Sequence, residues 1–280
     1  MKQSTGIHVL RRIRNLLYWG LEPLDGAVRR LNRMPQYPPI PLRRHVGHLG
    51  TMDGPGYEFV AYLKLLAGLK NGARVWDIGC GCGLLELALE SACWRGTVIG
   101  TDIHGPSVAW AQKHITPRYP SSRFVHSNIY NSAYWPQGTQ DAGSWLSEFS
   151  EKDFDIIVAK SFFTHLLPEE LDIYLNAVSD KLVTGGRALL TFFMLDGETE
   201  ERMQAGKSAF TFQSPADGAV YAVRRLSAPT AAVAYREEYL RDRFHRAGLA
   251  VRGEIQRGYW DGRENGLSFQ DLVVLEKGQT

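Results

Sequence analysis

The fold of this chain is decided by the stretch VWDIGCGCGLLELAL, residues 75–89. Its first part is an apolar run typical of a buried strand, and its leucine-rich part from Leu84 onward has the spacing of a helix. The turn between them holds three glycines, Gly79, Gly81 and Gly83. Glycine permits backbone conformations closed to other residues and leaves room for a ligand, and the first amides of the helix point into that room. The stretch therefore predicts a nucleotide-like ligand at the end of the strand.

The two cysteines in this turn raise the alternative of a metal site. Cys80 and Cys82 have no third or fourth Cys or His ligand close to them in the sequence, which makes a zinc site a poor interpretation. Only the fold could bring His104 and His126 near them. We therefore interpret the glycines as the functional part of the turn and expect no metal.

A regular alternation of strands and helices surrounds the glycine turn. Strands are predicted at residues 73–78, 96–103, 122–129, 154–160 and 187–195. Helices are predicted at residues 56–69, 84–93, 106–115 and 168–182. Apolar strands separated by amphipathic helices are typical of a parallel sheet covered on both faces. The sequence thus predicts an α/β fold with a doubly wound, Rossmann-like, mostly parallel sheet.

Beyond the fifth of these strands the pattern changes. Residues 209–226 predict a hairpin, and the chain closes with a predicted helix at 236–247 and predicted strands at 250–257 and 268–276. We expect residues 197–235 to be an insertion that acts as a lid over the ligand.

Composition and cysteine usage limit the class of protein. The chain has 280 residues, of which 44% are apolar and 11% aromatic, enough for a large core. Its cysteines, Cys80, Cys82 and Cys93, are too close in sequence for long-range disulfides, which suits a reducing compartment. Arginines interrupt the N-terminal apolar residues, and no run reaches the ~18 uncharged residues of a transmembrane helix. We expect a soluble, cytoplasmic protein.

The front of the chain differs in charge from the rest. Residues 1–45 carry nine basic and two acidic residues, a net charge of +7, whereas the remainder carries −5. The proline-rich stretch 35–42 is expected to be a stiff linker, neither helix nor central strand, because proline removes amide donors and fixes φ. We divide the chain into a basic helical arm with its linker, residues 1–45, and one domain, residues 46–280.

Residues 7–31 predict one or two basic helices. One face collects apolar residues, Val9, Ile13, Leu16 and Leu17. The favoured interpretation is an arm that packs on its own domain or on a second subunit of a homo-oligomer. The alternative is docking to an anionic membrane surface or partner.

The glycine spacing separates two classes of nucleotide site. A dinucleotide fingerprint, Gly-x-Gly-x-x-Gly, would need glycine at position 84 or 86, where the chain has Leu84 and Glu86. The run from Asp77 to Gly83, Asp-x-Gly-x-Gly-x-Gly, instead resembles the first motif of the class I methyltransferases that use S-adenosylmethionine. The resemblance is specific over about residues 70–195 and looser to 276. It implies a seven-stranded sheet with an antiparallel last strand and S-adenosylmethionine as cofactor.

The expected cofactor site is built on strand ends. Asp102 ends the second strand, where a carboxylate can accept both ribose hydroxyls. The resemblance places Ile103 on the adenine and the fourth strand end, Ala159 and Lys160, on the methionine part. Asn128 stands where the family has an aspartate; its amide oxygen can accept from the adenine amino group, with Ile129 lining the pocket. The expected cofactor-binding residues are Asp77, Gly79, Cys80, Gly81, Gly83, Asp102, Ile103, Asn128, Ile129 and Ala159.

Methyl transfer from a sulfonium is an in-line displacement, for which alignment and exclusion of water supply much of the acceleration. An alcohol acceptor also benefits from a general base. His165, just past the fourth strand, is the first candidate, and a histidine bonded to a backbone carbonyl is the structural alternative. Lys160 is the second candidate, with a solvated or ion-paired lysine as its alternative.

Aromatic residues outside the strands are expected to select the acceptor. The candidate substrate residues are Tyr130, Tyr134, Trp135, Trp260 and Arg263. Such rings suit stacking on a sugar or an aromatic compound, or else form a hydrophobic plug under a long loop. The fourth strand is not followed by Asn/Asp-Pro-Pro-Tyr and the body is acidic, so a nucleic-acid substrate is not expected.

The sequence therefore predicts methyl transfer to a small molecule, at a hydroxyl of a sugar, glycolipid or secondary metabolite. Residues 162–170, 185–195 and 258–271 resemble bacterial methyltransferases encoded with glycan or secondary-metabolite assembly enzymes. Such a role would bring the basic arm to the inner face of a membrane where a lipid-linked glycan is built. Three alternatives stay open: a nicotinamide-dependent oxidoreductase, another transfer such as aminopropyl transfer, and a catalytically silent scaffold that binds the cofactor.

Overall fold

A computed structural model describes residues 17–18, 20–31, 37–43, 53–132 and 134–278. The expected helical face around Val9, Ile13 and Leu16 lies outside these residues. The helices are α1 (20–31), α2 (Ile40–Arg43), α3 (Asp53–Leu65), α4 (Leu84–Ser91), α5 (Gly105–His114), α6 (Ala142–Glu148), α7 (Pro168–Lys181), α8 (Gly197–Gln204) and α9 (Glu237–Arg246). The strands are β1 (Arg74–Ile78), β2 (Thr97–Asp102), β3 (Ser122–His126), β4 (Phe154–Ala159), β5 (Leu182–Phe192), β6 (Met194–Leu195), β7 (Tyr221–Val223), β8 (Val233–Arg236), β9 (Leu249–Val251) and β10 (Asp271–Lys277).

Seven strands form the main sheet, in the order β3-β2-β1-β4-β5-β10-β9. β1 to β5 pair in parallel, and β10 runs antiparallel to both β5 and β9. The predicted doubly wound, mostly parallel sheet with an antiparallel last strand is confirmed. Helices cover both faces because the strands are apolar nearly throughout and must be buried on each side.

The register of the sheet sets the site. Asp77 pairs with Gly100, Ile78 with Thr101, and Asp77 also faces Val158 of β4. The carboxyl ends of β1, β2 and β4 therefore meet at one edge, where the chain reverses its strand order and a crevice opens.

Trp76 anchors the core beneath this edge. Its side chain is fully buried, stacked on Phe154 at 5.7 Å between ring centroids, and its Nε1 donates to Thr101 Oγ1 at 3.0 Å. Burial of an indole contributes on the order of 4 kcal/mol, and the hydrogen bond satisfies its polar nitrogen. The core thus holds β1 and β2 rigidly below the glycine turn.

The proline-rich stretch is partly helical, which corrects the prediction of a linker with no helix. α2 contains Pro41 in its first turn, where a missing amide hydrogen costs nothing because that amide has no partner within the helix. Tyr37 and Leu42 are buried, and residues 37–43 are hydrogen-bonded and ion-paired to α1.

The region after β5 forms a second, smaller sheet in the order β6-β8-β7. The hairpin predicted at 209–226 is reduced to one antiparallel bridge, Gln213 with Val223, because β7 pairs with β8 instead. α8 was not predicted, although Asp196 and Thr199 form a capping box at its start. Among the described residues, no helix combines the length and the apolar character needed to cross a membrane.

Candidate functional site

A cavity of about 900 Å³ opens at the carboxyl ends of β1, β2 and β4. It joins the glycine turn at one end to the loops after β4 and before β10 at the other. This is the size of a small-molecule site and the position at which open α/β sheets bind ligands.

The glycine turn forms one wall. Gly79 and Gly81 line the cavity and have φ of 77° and 56°, a region that favours glycine. A Cβ on Gly79 would lie 3.1 Å from the ring of Phe162, so this part of the turn has no room for a side chain. Gly83, by contrast, does not line the cavity but starts α4, and a Cβ there would lie 2.6 Å from Ile115. The first two glycines let the backbone turn at the cavity wall, and the third lets the helix pack closely.

Asp102 and Ile103 also line the cavity. The Asp102 carboxylate accepts hydrogen bonds from the amides of Gly81, at 2.9 Å, and His104, at 2.7 Å. These bonds fix its orientation and leave lone pairs on both oxygens. A fixed carboxylate beside an apolar side chain is a suitable arrangement for a ribose next to a purine.

The thiols of this region are unsuited to metal binding. Cys80 lines the cavity and is buried, and burial raises the pKa values of both Cys80 and Cys82. The protonated thiol that results is a poor ligand. His126 Nε2 lies 3.1 Å from the Ile103 carbonyl, and His104 Nδ1 lies 2.7 Å from Ser107 Oγ, so both rings have other partners.

Asp77 and Lys160 supply charge on the floor of the cavity. Burial, together with the charge of Asp102, raises the pKa of Asp77 to about 7, while Lys160 acts in the opposite direction. Lys160 Nζ donates to the Pro55 carbonyl at 3.3 Å and lies 4.7 Å from the ring centroid of Phe59. The lysine thus connects the floor to the first turn of α3, and burial lowers its pKa.

His165 faces the cavity from the 3₁₀ turn after β4. Its Nδ1 lies 2.8 Å from the carbonyl oxygen of Thr230, which can only accept, so Nδ1 carries the proton and Nε2 is the basic nitrogen. Burial lowers the pKa of His165, which keeps the ring neutral at pH 7. His165 can therefore be bonded to a backbone carbonyl and still act as a base, because this hydrogen bond selects the tautomer that a base requires.

Asn128 does not reach the cavity, contrary to the expected adenine contact. Its Oδ1 accepts from Trp135 Nε1 at 3.1 Å and its Nδ2 donates to Thr139 Oγ1 at 2.8 Å, so its amide closes the loop after β3. Ile129 is buried in the main core, whereas the preceding Ser127 lines the cavity. Ala159 is fully buried, and its neighbours Val158 and Lys160 line the cavity in its place.

Of the five candidate substrate residues, only Tyr134 lines the cavity. Its ring lies edge-on to His165, with 5.5 Å between centroids. Tyr130 points outward and is 57% exposed. Trp135 packs edge-on against His126 at 5.0 Å, as a plug under the loop after β3.

Trp260 and Arg263 serve the structure of the loop before β10. Trp260 is fully buried and its Nε1 donates to Asp271 Oδ2 at 2.9 Å. Arg263 pairs with the buried carboxylate of Asp261 at 2.6 Å. Trp260 also packs edge-on against Phe193 and Phe212, and neither Trp260 nor Arg263 lines the cavity.

Other side chains that line the cavity were not predicted. They are Phe59, Phe162, Phe210, Tyr259, Phe269 and Gln270. They come from α3, the loop after β4, the lid region and the loop before β10, which are far apart in sequence. Ser161 also lines the cavity, and no feature of the sequence indicated this. Its φ is 52°, its amide donates to Thr191 Oγ1, and its hydroxyl donates to Gln270 Oε1. This strained residue turns the chain toward the cavity.

The residues fit an adenosyl cofactor. The open glycine turn, the oriented carboxylate of Asp102 and the apolar side chain of Ile103 form one end, and Asp77 offers a carboxylate for an ammonium group. Cofactor and acceptor can share one cavity of this size, which places them in contact.

Part of the chain is similar in sequence to known proteins. Residues 75–186 match a family model described as a methyltransferase domain. Ribosomal protein L11 methyltransferase of Caulobacter sp. (strain K31) is 28% identical over 157 residues, which are 56% of this chain and 46% of that protein. The chain thus spans less than half the length of this curated relative.

Solved structures share the fold at low identity. The 1,6-didemethyltoxoflavin-N1-methyltransferase of Burkholderia thailandensis, bound to 1,6-didemethyltoxoflavin and S-adenosylhomocysteine, aligns with a TM-score of 0.50 and 17% identity over 82% of this chain and 79% of that one. Magnesium protoporphyrin IX methyltransferase from Synechocystis PCC 6803, with bound S-adenosylhomocysteine, aligns with a TM-score of 0.52 and 18% identity over 84% and 92%. Residues 75–186 of this chain thus match the model of a methyltransferase domain, and the chain shares the fold of these solved methyltransferases.

Proposed function

We propose that this chain transfers a methyl group from S-adenosylmethionine to a hydroxyl of a small-molecule acceptor. The observation that carries the proposal is His165, a neutral histidine of defined tautomer in the same cavity as the glycine turn and Asp102. The bound cofactor would supply an electrophilic methyl on a sulfonium. Asp102 would hold the ribose of the cofactor, and Asp77 would pair with its ammonium group. The backbone of the turn from Gly79 to Gly81 would lie against the cofactor.

The acceptor hydroxyl would lose its proton to Nε2 of His165. The Thr230 carbonyl stabilises the doubly protonated ring that results, because it accepts from Nδ1 throughout. The ring of Tyr134 lies edge-on to the His165 ring and limits its movement. The ring of Phe162 lies beside Gly79 and covers this part of the glycine turn. Alignment of the hydroxyl and exclusion of water would provide the remainder of the acceleration.

Lys160 is the weaker candidate for the base. Burial lowers the pKa of Lys160, with the carboxylates of Glu58 and Asp77 acting in the opposite direction. Its Nζ already donates to the Pro55 carbonyl and lies over the ring of Phe59, so it is not free to take a proton from an acceptor. Its proposed role is to hold α3 against the floor of the cavity.

The proposed acceptor is a small, aromatic or partly apolar metabolite or a sugar carried on one. Phenylalanine and tyrosine rings line the acceptor end, and such rings stack on flat or apolar faces. No arginine lines the cavity among the described residues, so an acceptor with several phosphates would find little charge to bind.

Cofactor identity is tested by calorimetric titration of S-adenosylhomocysteine and, separately, NADH. We expect binding of the adenosyl ligand alone, and its loss in Asp102→Ala because the ribose no longer has a carboxylate partner. Asp155→Ala is the control, since Asp155 lies at the opposite, amino-terminal end of β4. Binding of NADH would favour the oxidoreductase alternative, and binding of neither would contradict the assigned site.

Turnover is tested with methyl-labelled S-adenosylmethionine and a panel of phenols, sugars and glycolipids. We expect label transfer to at least one hydroxyl acceptor and a 10²- to 10⁴-fold lower kcat in His165→Ala, with unchanged cofactor affinity. His245→Ala, on the exposed side of α9, is the matched control. Full activity of His165→Ala would leave alignment alone as the mechanism, whereas cofactor binding without transfer to any acceptor would favour the scaffold.

A further inference from the structure

An apolar stripe runs along the outer side of the N-terminal helix. It consists of Leu17, Leu21, Leu24, Val28 and Leu31. These five side chains are between 50% and 82% exposed. They follow one another at intervals of four and three residues, which confines them to a stripe roughly 80° wide at 3.6 residues per turn. Five large apolar side chains aligned on one exposed face form a contiguous patch of the kind that marks an interaction surface.

Another side of α1 faces residues 37–43. Arg29 Nε donates to Asp25 Oδ2 at 2.6 Å, and its Nη1 donates to the Tyr37 carbonyl at 2.7 Å. Glu22 Oε2 accepts from the amide of Ile40 at 2.9 Å. Asp25 also pairs with Arg43. These contacts set the side of α1 that faces residues 37–43, and the exposed stripe lies on a different side.

The segment that carries the stripe is strongly basic, with a net charge of +7 over residues 1–45. Glu22 and Asp25 are its two acidic residues, and both are turned inward and paired with Arg29 and Arg43. Arg11, Arg12 and Arg14 precede the stripe in the sequence and Arg33 follows it. An apolar stripe in a basic segment matches an anionic surface that also offers an apolar interior.

We propose that α1 lies in the plane of an anionic lipid bilayer, with this stripe inserted between the head groups. Apolar insertion and electrostatic attraction are the two signals that together give stable binding at a membrane surface, where either alone gives marginal binding. The cavity of the methyltransferase domain would then work beside the membrane.

A second copy of this chain fits the stripe less well. The helix spans little more than two heptads, and a face of this length covers only a few hundred Å² per partner, below the roughly 800 Å² of a stable interface. Two arms that each carry +7 would also repel one another. The charge that opposes a dimer favours an anionic lipid.

The test uses the full chain and vesicle co-sedimentation. The vesicles contain phosphatidylcholine alone or with 30% phosphatidylglycerol, at low and high salt. We expect binding to the anionic vesicles, weakened by salt, and at least tenfold weaker binding in the double variant Leu21→Glu/Leu24→Glu. The matched control is Leu65→Glu/Leu226→Glu, which adds the same charge at exposed leucines outside the stripe. Both double variants should keep wild-type affinity for S-adenosylhomocysteine, which shows that the fold is intact.

Three results would overturn the proposal. The first is no binding of the wild type to anionic vesicles. The second is equal loss in the stripe variant and in the control, since added charge alone would then explain the effect. The third is a wild-type dimer, seen by light scattering, that the stripe variant converts to a monomer, because a second copy would then occupy the stripe. None of these readouts depends on methyl transfer, so the proposal can fail while the proposed function stands.

Discussion

At the scale of single residues, buried carboxylates stand out. Asp77 lies on the cavity floor with a pKa raised to about 7, and Glu86 lies behind the glycine turn with both carboxylate oxygens buried and without a hydrogen-bond partner among the described residues. Burial disfavours the charged form of each. The two differ in position, since Asp77 lines the cavity whereas Glu86 lies behind it beside Gly100.

Cofactor affinity should depend on the protonation of Asp77. An ionised carboxylate pairs with the ammonium group of the cofactor and a neutral one does not, so affinity should fall as the pH drops below about 7. Calorimetry at pH 6 in buffers of different ionisation enthalpy should detect a proton released on binding. In Asp77→Asn, binding should be weaker and its proton release lost. Unchanged release in that variant would assign the proton to another group.

Protein stability should depend on Glu86 in a pH-dependent way. Its folded-state pKa is raised well above its usual value, so its contribution to stability is full below about pH 4.5 and is lost as the pH rises. The neutral, isosteric Glu86→Gln should match the wild type near pH 4.5 and exceed it at higher pH, by up to about 1.4 kcal/mol per pH unit. Urea denaturation at pH 5, 7 and 9 measures this. A difference that does not grow with pH would mean that Glu86 ionises freely in the folded protein.

At the scale of elements, the junction of the glycine turn and α4 determines where the helix starts. Gly83 has φ of 76° and packs against Ile115 of the segment after α5 and Phe124 of β3. The close approach brings α4 and α5 together at the edge of the sheet beside the cavity. The third glycine of the motif is therefore required by packing, whereas the first two turn the backbone at the cavity wall.

Gly83→Ala should destabilise the protein more than its backbone conformation alone explains. The left-handed conformation costs a non-glycine residue about 1–2 kcal/mol, and a Cβ at 2.6 Å from Ile115 and 2.8 Å from Phe124 adds about 1–3 kcal/mol of overpacking. Gly185→Ala is the matched control, because its φ is 74° and nothing lies within 4 Å of its Cβ position. Chemical denaturation compares the two. Equal losses would show that Ile115 and Phe124 give way at little cost.

At the scale of the whole molecule, one buried carboxylate joins three separate parts of the chain. Asp271, at the start of β10, accepts from the amides of Met194 and Gly258, at 2.7 Å and 2.8 Å, and from Trp260 Nε1. It thereby ties the small sheet and the loop before β10 to the main sheet. That loop contributes Tyr259, Ser268, Phe269 and Gln270 to the acceptor end of the cavity.

Loss of Asp271 should open the acceptor end and spare the cofactor end. In Asp271→Ala three buried donors lose their partner, which should cost about 3 kcal/mol or more in stability. Hydrogen exchange in residues 258–270 should accelerate and the KM for the acceptor should rise, with cofactor affinity within about twofold of the wild type. Asp217→Ala, an exposed carboxylate in the lid region, is the control. An equal loss of cofactor affinity would show that the two ends are not separable.

The sequence by itself determined the parallel sheet, the glycine turn and the position of Asp102. These depend on neighbours along the chain: apolar runs form buried strands, and a strand followed by glycines and a helix leaves a crevice at a known edge. The sequence did not predict which way the loop side chains point. Asn128, Trp135, Trp260 and Arg263 were placed in the site by type and position, and the fold uses each of them to hold a loop.

Only the tertiary structure decided what surrounds the ligand. Phe59 arrives from a helix before the motif and Phe210 from the lid region, and the tautomer of His165 is fixed by Thr230, 65 residues away. The direction of a loop side chain depends on contacts between segments distant in sequence, and local patterns carry no record of those contacts. The side of α1 that faces residues 37–43 follows the same rule, because Glu22 and Asp25 have their partners Ile40 and Arg43 in that later segment.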